Sequence, residues 1–561
     1  MANLTSMLTI RRNLNKVRRS QRIISVFVKF GLDYLFDRSK INLLARFHRK
    51  TKKLRQLSAP ERLRRAFEEL GPTFIKFGQV LSTRPDFLPS EFIRELEKLQ
   101  DEVPPFDSQE AKKILEIELK APLDNLFKEF NQDPVASASL SQVHRAVLKG
   151  GEVVAVKIQR PGIKEIIELD LEILEDLAGI VENHLSSGWV YQPKLIVEEF
   201  KKAIRKELDF IEEAYNFEKF RLNFRNIAYL KVPKIYWELT TNKVLTMEFI
   251  DGVKINEITQ EKYRQVFEAK KVAQEGAEAV LKQILEDGFF QADPHPANLF
   301  VQPPATIVML DVGMTGYLEE KSIISILRVL RAVADIDLDE IITGMEDLGI
   351  IMEAVDRNRL RQDLVELIER YSGRPLKTIK VSNLSQDIFE LMVRHSLVVP
   401  SNLVLMIRAL SIVESIGWDL DPDFDLLSTF KPFVKQLLWK RYSPATWLKK
   451  GQSFLDQSLE LFGHLPRDLA DLFRKVKEGQ LKISFEHRGL ENLTREIDRA
   501  SNRISFSLII AALIIGSSLL LQQKIGPTIF GVSAVGILGY LLASLLGVGL
   551  IVSILRSGKW K

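Results

Sequence analysis

Apolar positions recur at three- and four-residue steps across residues 60–99, at Leu63, Phe67, Leu70, Phe74 and Phe77, and predict helix. Gly71-Pro72 interrupts the pattern, and Pro72 suits the first turn of a second helix. The period then shortens. Residues 143–148 predict a strand, Lys149-Gly-Gly-Glu152 a tight turn, and Val153-Val-Ala-Val-Lys157-Ile158 the return strand. Residues 243–252 predict another strand running into a linker, and Ile307-Val-Met-Leu310 a buried one. Apart from that strand, helical patterns dominate from residue 252 to about residue 500, including 266–286, 320–348 and 384–396.

The last pattern is of a different kind. Residues 504–521 and 527–555 contain no charge, and a spanning helix needs roughly 20 apolar residues. Gly531, Ser533, Ala534, Gly536, Gly539, Ala543 and Gly547 are small enough for two such helices to approach closely. Arg495, Arg499 and Arg503 precede the pair and Arg556, Lys559 and Lys561 follow it, against Lys524 between them. The positive-inside rule then puts both outer ends, and the large domain, on the cytoplasmic side.

Charge adds a second membrane signal. The chain carries a net +5, yet its first 65 residues hold 18 Lys and Arg against Asp33, Asp37 and Glu61, so the remainder is acidic. Arg11, Arg12, Lys16, Arg18, Arg19 and Arg22 alternate with Leu14, Val17, Ile23, Ile24, Val26 and Phe27, as in a helix lying on an anionic bilayer or in an import peptide. Cysteine is absent, which excludes disulfides, Cys-based zinc sites and thiol catalysis. The 561 residues allow two to four domains, and 46% hydrophobic with 27% charged residues describes a folded protein.

Two strings carry the chemistry. Asp293-Pro-His-Pro-Ala-Asn298 sets a carboxylate five residues before an Asn, and Asp311-Val-Gly313 follows the buried strand. In kinase-like folds one Asp addresses the nucleophile, while the Asn and a second Asp hold magnesium. Lys157 ends a Val-Ala-Val-Lys strand of the type that reaches nucleotide phosphates. It needs a carboxylate partner, since an unpaired buried cation is costly. Spacing favours Glu168 or Glu172; Glu213 lies further off. Where a kinase has a glycine loop, this chain has Ala136-Ser137-Ala138-Ser139, whose hydroxyls are alternative phosphate donors. Met247, Glu248 and Ile250 lie where a hinge would offer backbone groups to adenine.

These motifs resemble those of the UbiB/AarF-type, or ADCK-type, atypical kinases over roughly residues 60–430. Lys76-Phe-Gly-Gln79 matches the family's Lys-x-Gly-Gln, Ala136 to Ser139 its alanine-rich loop, and Glu207-Leu-Asp209 its Glu-x-Asp. Asp293, Asn298 and Asp311 match its catalytic and metal positions. The resemblance implies an α+β, two-lobed protein-kinase-like fold with N- and C-terminal helical extensions, followed by a transmembrane hairpin. It implies Glu213 as the partner of Lys157, and contact of Glu207 and Asp209 with the Lys-x-Gly-Gln segment. Lys76 and Gln79 become site residues. The corresponding domains are 1–58 (basic segment), 59–132 (helical extension), 133–250 (smaller lobe), 251–435 (larger lobe), 436–503 (second helical extension) and 504–557 (hairpin).

By the same resemblance the ligands are ATP or ADP with Mg2+, and the role is support of isoprenoid quinone biosynthesis or prenyl-lipid homeostasis. Expected partners are the bilayer, a prenyl-lipid or quinone precursor and quinone-biosynthesis enzymes, with a homodimer as a further expectation and no nucleic acid. A bacterial inner membrane or thylakoid is the implied location. A protein kinase acting on a partner and a non-catalytic scaffold are the alternatives.

Overall fold

The computed structural model describes residues 2–32, 57–82, 84, 87–99, 103–184, 193–351, 355–374, 378–395, 397–441, 490–523, 527–529 and 532–556. It forms two compact units, Met1–Thr446 and Trp447–Lys561.

The first unit begins with α1 (Ala2–Lys29) and α2 (Ala59–Leu70). Ile23, Val26, Phe27 and Phe30 of α1 are buried in one core with Ala66, Phe67 and Leu70 of α2. Arg19 bonds both carboxylate oxygens of the fully buried Asp170, at 2.7 and 2.8 Å, and the Leu70 carbonyl at 2.9 Å. This corrects the expectation of a membrane-surface helix, because that apolar face is spent inside the protein. Only Leu14 and Val17 of the predicted set stay exposed. Gly71, at φ +96°, ends α2, and α3 (Pro72–Ser82) starts at once. The predicted second helix is in fact two, since α4 (Ser90–Leu96) starts separately after Pro89.

Helix α5 (Ser108–Leu119) packs Ala111 and Leu115 on the first sheet. That sheet comprises β1 (Phe127–Phe130), β2 (Ala136–Ser137), β3 (Ser141–Leu148) and β4 (Val153–Gln159). The β3–β4 hairpin turns at Gly151, with φ +93°, and pairs Val143 with Lys157. Three helices follow: α6 (Ile163–His184), α7 (Pro193–Glu207) and α8 (Phe210–Asn223). After β5 (Leu230–Lys231), β6 (Val244–Glu248) completes the first sheet in the order β1-β3-β4-β6, with β2 on β3.

The larger lobe contains β7 (Val253–Lys254), α9 (Ala269–Leu285), β8 (Phe289–Gln291), β9 (Leu299–Gln302), β10 (Thr306–Met309) and β11 (Thr315–Tyr317). Its sheet runs β5-β10-β9-β7, and β11 pairs with β8. The β9–β10 hairpin lies between the two chemical strings and brings their ends together.

Helices complete this unit: α10 (Glu320–Asp335), α11 (Leu338–Asp347), α12 (Arg357–Tyr371), α13 (Val381–Arg394), α14 (Ser401–Leu420) and α15 (Leu426–Arg441). The helix predicted over 320–348 is thus two helices. Ile336 takes a left-handed φ of +57°, and Asp337 caps α11 by accepting from the Glu340 amide at 3.1 Å. Capping chemistry overrode an unbroken apolar period. Helix α14 packs on α9, so it is built into the larger lobe's core.

The second unit contains α16 (Leu490–Gln523) and α17 (Ala534–Arg556), within which Ser501–Gln522 and Ala534–Ile551 are long and apolar enough to cross a membrane. Small residues set their approach. A Cβ on Gly539 would lie 2.1 Å from Ser517 Oγ, and one on Gly536 would lie 2.8 Å from the Leu521 side chain. Gly547, also expected at this seam, has open space around it. Leu508, Leu538, Leu541 and Leu545 expose apolar surface on the outside, as lipid-facing residues do. Most of the predicted helical extension at 436–503 lies outside the described residues.

Candidate active site

Strand β4 delivers Lys157, and its ammonium bonds Glu213 Oε1 at 2.7 Å and Oε2 at 2.9 Å. Glu213 comes from the first turn of α8, whose N-cap is Asp209. Glu168 and Glu172, favoured by spacing, are engaged elsewhere: Glu168 with Arg205 at 2.6 Å, Glu172 with Lys16 at 3.6 Å. The cause is topological. Helix α6 packs with α1 and α3, which leaves α8 to face β4.

Asp311 follows β10, with Oδ2 3.7 Å from Lys157 Nζ. Its Oδ1 accepts from the Gly313 amide at 2.8 Å. Gly313 does not use left-handed backbone; its role is space, because a Cβ there would stand 3.2 Å from Asp311 Oδ1. Asn298 closes a one-turn helix, and its carbonyl accepts from the Leu310 amide at 3.0 Å. That bond fixes Asn298 beside Asp311.

Charges in this cluster are interdependent. Burial acts to lower the Lys157 pKa, but Glu213, Asp311 and Glu207 outweigh it and hold the ammonium charged. Burial pushes the Glu213 carboxyl up to about 7, with Asp311 and Glu207 adding to the rise and Lys157 opposing it. For Asp311 burial is again the largest influence, yet Lys157, the Gly313 amide and Lys76 together bring its pKa below the ordinary value.

The Lys-x-Gly-Gln segment is α3. Lys76 Nζ lies 2.6 Å from Glu207 Oε1, and Gln79 Nε2 donates to the Leu99 carbonyl at 3.2 Å. Asp209 departs from expectation: it accepts from the Ile211 amide at 3.0 Å and from Asn242 at 2.9 Å, as a helix cap. It is not among the described residues that line the cavity. Of the Ala136–Ser139 stretch, Ser137 Oγ accepts from Arg160 at 3.0 Å, and Arg160 also bonds the Ala138 carbonyl at 3.0 Å. Ser139 Oγ is buried without a hydrogen-bond partner. In the hinge, the Glu248 carboxylate is held by Lys231 at 2.6 Å, so only its backbone is left for a ligand.

These residues share one cavity of about 1810 Å³, lined by Lys76, Gln79, Lys157, Asp293, Asn298 and Asp311 among others. Met247, Glu248, Ile250 and Ala136 to Ser139 line it from the smaller lobe. Glu213 stands behind Lys157, 4% exposed. Asp293 Oδ1 is buried without a hydrogen bond and lies 3.4 Å from Arg408 Nη2. Arg408 Nη1 also lies 3.4 Å from the Gln79 carbonyl. Arg408 and Arg160 escaped the sequence reading. Arg408 sits inside an ordinary amphipathic helix and Arg160 just past a strand, and neither position carries a motif. Asn298 and Asp311 offer hard oxygen donors side by side on the cavity wall, which suits magnesium.

A two-lobed fold with an ion-paired strand lysine and this Asp/Asn/Asp set defines a kinase-like protein. Family models agree along the chain: an ABC1 atypical kinase-like domain at residues 98–345, a UbiB helical domain at 364–425 and an ABC1/UbiB kinase-like C-terminal domain at 488–556. A Clostridium pasteurianum protein described as an uncharacterized protein in the hydrogenase 1 5' region is 34% identical over 97% of this chain and 100% of its own length. The probable protein kinase UbiB of Marinobacter nauticus is 34% identical over 91% of this chain and 94% of its own. The chloroplastic ACTIVITY OF BC1 COMPLEX KINASE 7 of Arabidopsis thaliana is 37% identical over 76% of this chain and 61% of its own. The chain belongs to the ABC1/UbiB family of atypical kinase-like proteins.

Proposed function

We propose that this protein is a membrane-anchored, magnesium-dependent ATPase or small-molecule kinase that supports isoprenoid quinone biosynthesis or prenyl-lipid homeostasis. The observation that carries the reading is convergence: Lys157, backed by Glu213, meets Asp293, Asn298 and Asp311 around one cavity. Lys157 binds nucleotide phosphates, held in place by Glu213. Asp293 orients the attacking hydroxyl or water and accepts its proton. Asn298 and Asp311 are the residues that would hold Mg2+, which when bound neutralises charge on the phosphates. Ile250 is the hinge donor for adenine, since the Glu248 and Phe249 amides already donate to the Lys234 and Val153 carbonyls. The hairpin helices anchor the chain, with its kinase-like unit on the cytoplasmic side.

The names of the UbiB and ABC1-type relatives support a quinone or respiratory-complex setting. Helix α3 lines the cavity through Lys76 and Gln79, which narrows the room for a protein segment and favours a small acceptor. The test is one assay of purified protein in lipid vesicles with labelled ATP, following free phosphate, phosphoprotein and phosphorylated small molecule together. Phosphate release or a phosphorylated small molecule, lost in Asp293→Asn and in Asp311→Asn with folding intact, is the expected result. Label appearing chiefly on protein would favour a protein kinase. Turnover unchanged in both variants would remove the catalytic assignment.

A further inference from the structure

Arg160 follows the last residue of β4 and bonds back to the loop that stands where a kinase has its glycines. Its Nε donates to the Ala138 carbonyl at 3.0 Å and its Nη2 to Ser137 Oγ at 3.0 Å. Its own amide donates to the Leu140 carbonyl at 2.9 Å, and the Ala138 amide closes the turn on the Ser141 carbonyl at 2.8 Å. The same Nη2 donates to the Pro104 carbonyl at 2.8 Å, and the guanidinium lies 5.6 Å from the centre of the Phe106 ring. The Phe106 amide in turn donates to Gln142 Oε1 at 3.0 Å, on the strand that leaves the loop. One side chain thus ties the Ala136–Ser139 loop to the segment between α4 and α5. A planar guanidinium suits that task, since its fixed fork of donors serves several acceptors at once.

All of these side-chain acceptors are neutral oxygens, and among the described residues Arg160 has no carboxylate partner. Lys157 and Lys76, by contrast, are ion-paired to Glu213 and Glu207. Ala136 to Ser139 line the cavity and Arg160 does not, which puts an uncompensated positive charge behind the loop. Ser139 Oγ, buried without a partner, calls for an acceptor on the cavity side. We infer that Arg160 is a positioning residue for the nucleotide's phosphates: it holds the Ala136–Ser139 loop against them, adds its charge, and couples nucleotide occupancy to residues 103–106. The ligand in this inference rests on the kinase reading above; the tie between the two segments does not. Coupling of this kind is reciprocal, so a nucleotide that tightens the loop also tightens residues 103–106.

The test uses the full chain in phosphatidylcholine vesicles, a fluorescent ATP analogue and amide hydrogen exchange read by mass spectrometry. Arg160→Gln is expected to weaken binding of the analogue about tenfold by removing charge-assisted bonds. KM for ATP should rise in step while kcat falls less than about threefold. Arg160→Lys, which keeps the charge and loses the fork, should recover only a minor part of that affinity. Without nucleotide, Arg160→Gln should speed exchange in peptides spanning 136–141 and 103–107 alike. Saturating analogue should slow exchange in both peptides of the native chain, and only in the first of Arg160→Gln. Unchanged affinity in Arg160→Gln, full rescue by Arg160→Lys, or faster exchange confined to 136–141 would each overturn the inference. Should Arg160→Gln fail to fold, Ser137→Ala removes a single bond and is expected to weaken the analogue about threefold; native affinity there would overturn it equally. Failure of the native protein to bind the analogue would instead sink the kinase reading, and exchange in the nucleotide-free protein would still decide whether Arg160 ties the two segments.

Discussion

Lys157 Nζ holds both carboxylate oxygens of Glu213, at 2.7 and 2.9 Å, in a site where Glu213 is almost wholly buried. Breaking such a pair strands a charge. Lys157→Met and Glu213→Gln should each lose about 3–5 kcal/mol of unfolding free energy, while a Lys157→Met/Glu213→Leu double variant recovers much of it. The double variant should still fail to bind nucleotide, because the cation that reaches phosphate is gone. Urea unfolding and nucleotide titration check the two halves; additive losses in the double variant would show that the pair is not coupled.

Arg408 is a positioning residue for Asp293. It stands 3.4 Å from the carboxylate and 3.4 Å from the Gln79 carbonyl, so it ties α14 to both the catalytic string and α3. Arg408→Gln should lower kcat by roughly 10- to 100-fold through misplaced geometry, with nucleotide Kd within about threefold of the native value. Parallel losses in kcat and nucleotide affinity would mark a general structural role instead.

How much of this was legible beforehand depends on whether the determinant was local. The β3–β4 hairpin and the strand before Asp311 were readable, because period and turn chemistry are local signals. The partner of Lys157 was not readable from spacing, because α6 turned out to pack on α1 and α3. Only the family resemblance pointed to Glu213. Burial of α1 was equally hidden: the same basic and apolar mixture serves a bilayer or a protein core, and the choice here lies with Phe67 and Asp170, far along the chain. Asp209 shows the converse. A motif residue assigned to the site by resemblance serves as a helix cap.

Gly78 inside the Lys-x-Gly-Gln string has a packing reason. A Cβ there would lie 2.3 Å from the Leu99 side chain and 2.7 Å from the Phe67 ring. Gly78→Ala should therefore cost about 1–3 kcal/mol of stability by overpacking and shift the helix that carries Lys76 and Gln79. Because the strain comes from the ring and the leucine together, Phe67→Leu with Leu99→Ala should rescue the alanine variant. Thermal unfolding of the set checks it, and a native-like melting temperature for Gly78→Ala alone would contradict the close contact.

His144 supplies a pH dependence remote from the catalytic groups. It is fully buried, with Nδ1 2.8 Å from the Asn131 carbonyl and Nε2 2.9 Å from the Gln142 amide, and it stacks on Phe130. Burial lowers its pKa, against the smaller opposing pull of the Asn131 carbonyl and Asp133. The folded state therefore prefers neutral imidazole. Its contribution to stability is complete above the unfolded pKa of about 6.5 and is lost as pH falls from there toward the folded value. His144→Asn, which keeps a donor for the Asn131 carbonyl, should flatten the fall in melting temperature between about pH 7 and pH 5. Parallel profiles for the two proteins would exclude His144 as the source.

The hairpin can be tested with an unusual advantage, since the chain contains no cysteine and any introduced pair is unique. A Cβ at position 539 would lie 3.3 Å from Ser517 Cβ, just short of the roughly 3.5–4.5 Å that a disulfide spans. A shift of a few tenths of an ångström brings the two within that range. Ser517→Cys/Gly539→Cys should therefore close under mild oxidant in membranes, giving a faster-migrating band that a reductant reverses. Ser517→Cys/Gly547→Cys is the control, because Gly547 faces open space. Closure of the first pair alone requires α16 and α17 to meet at this register. Equal closure of both pairs would mean that the helices slide past one another, and failure of both would mean that they do not pair at all.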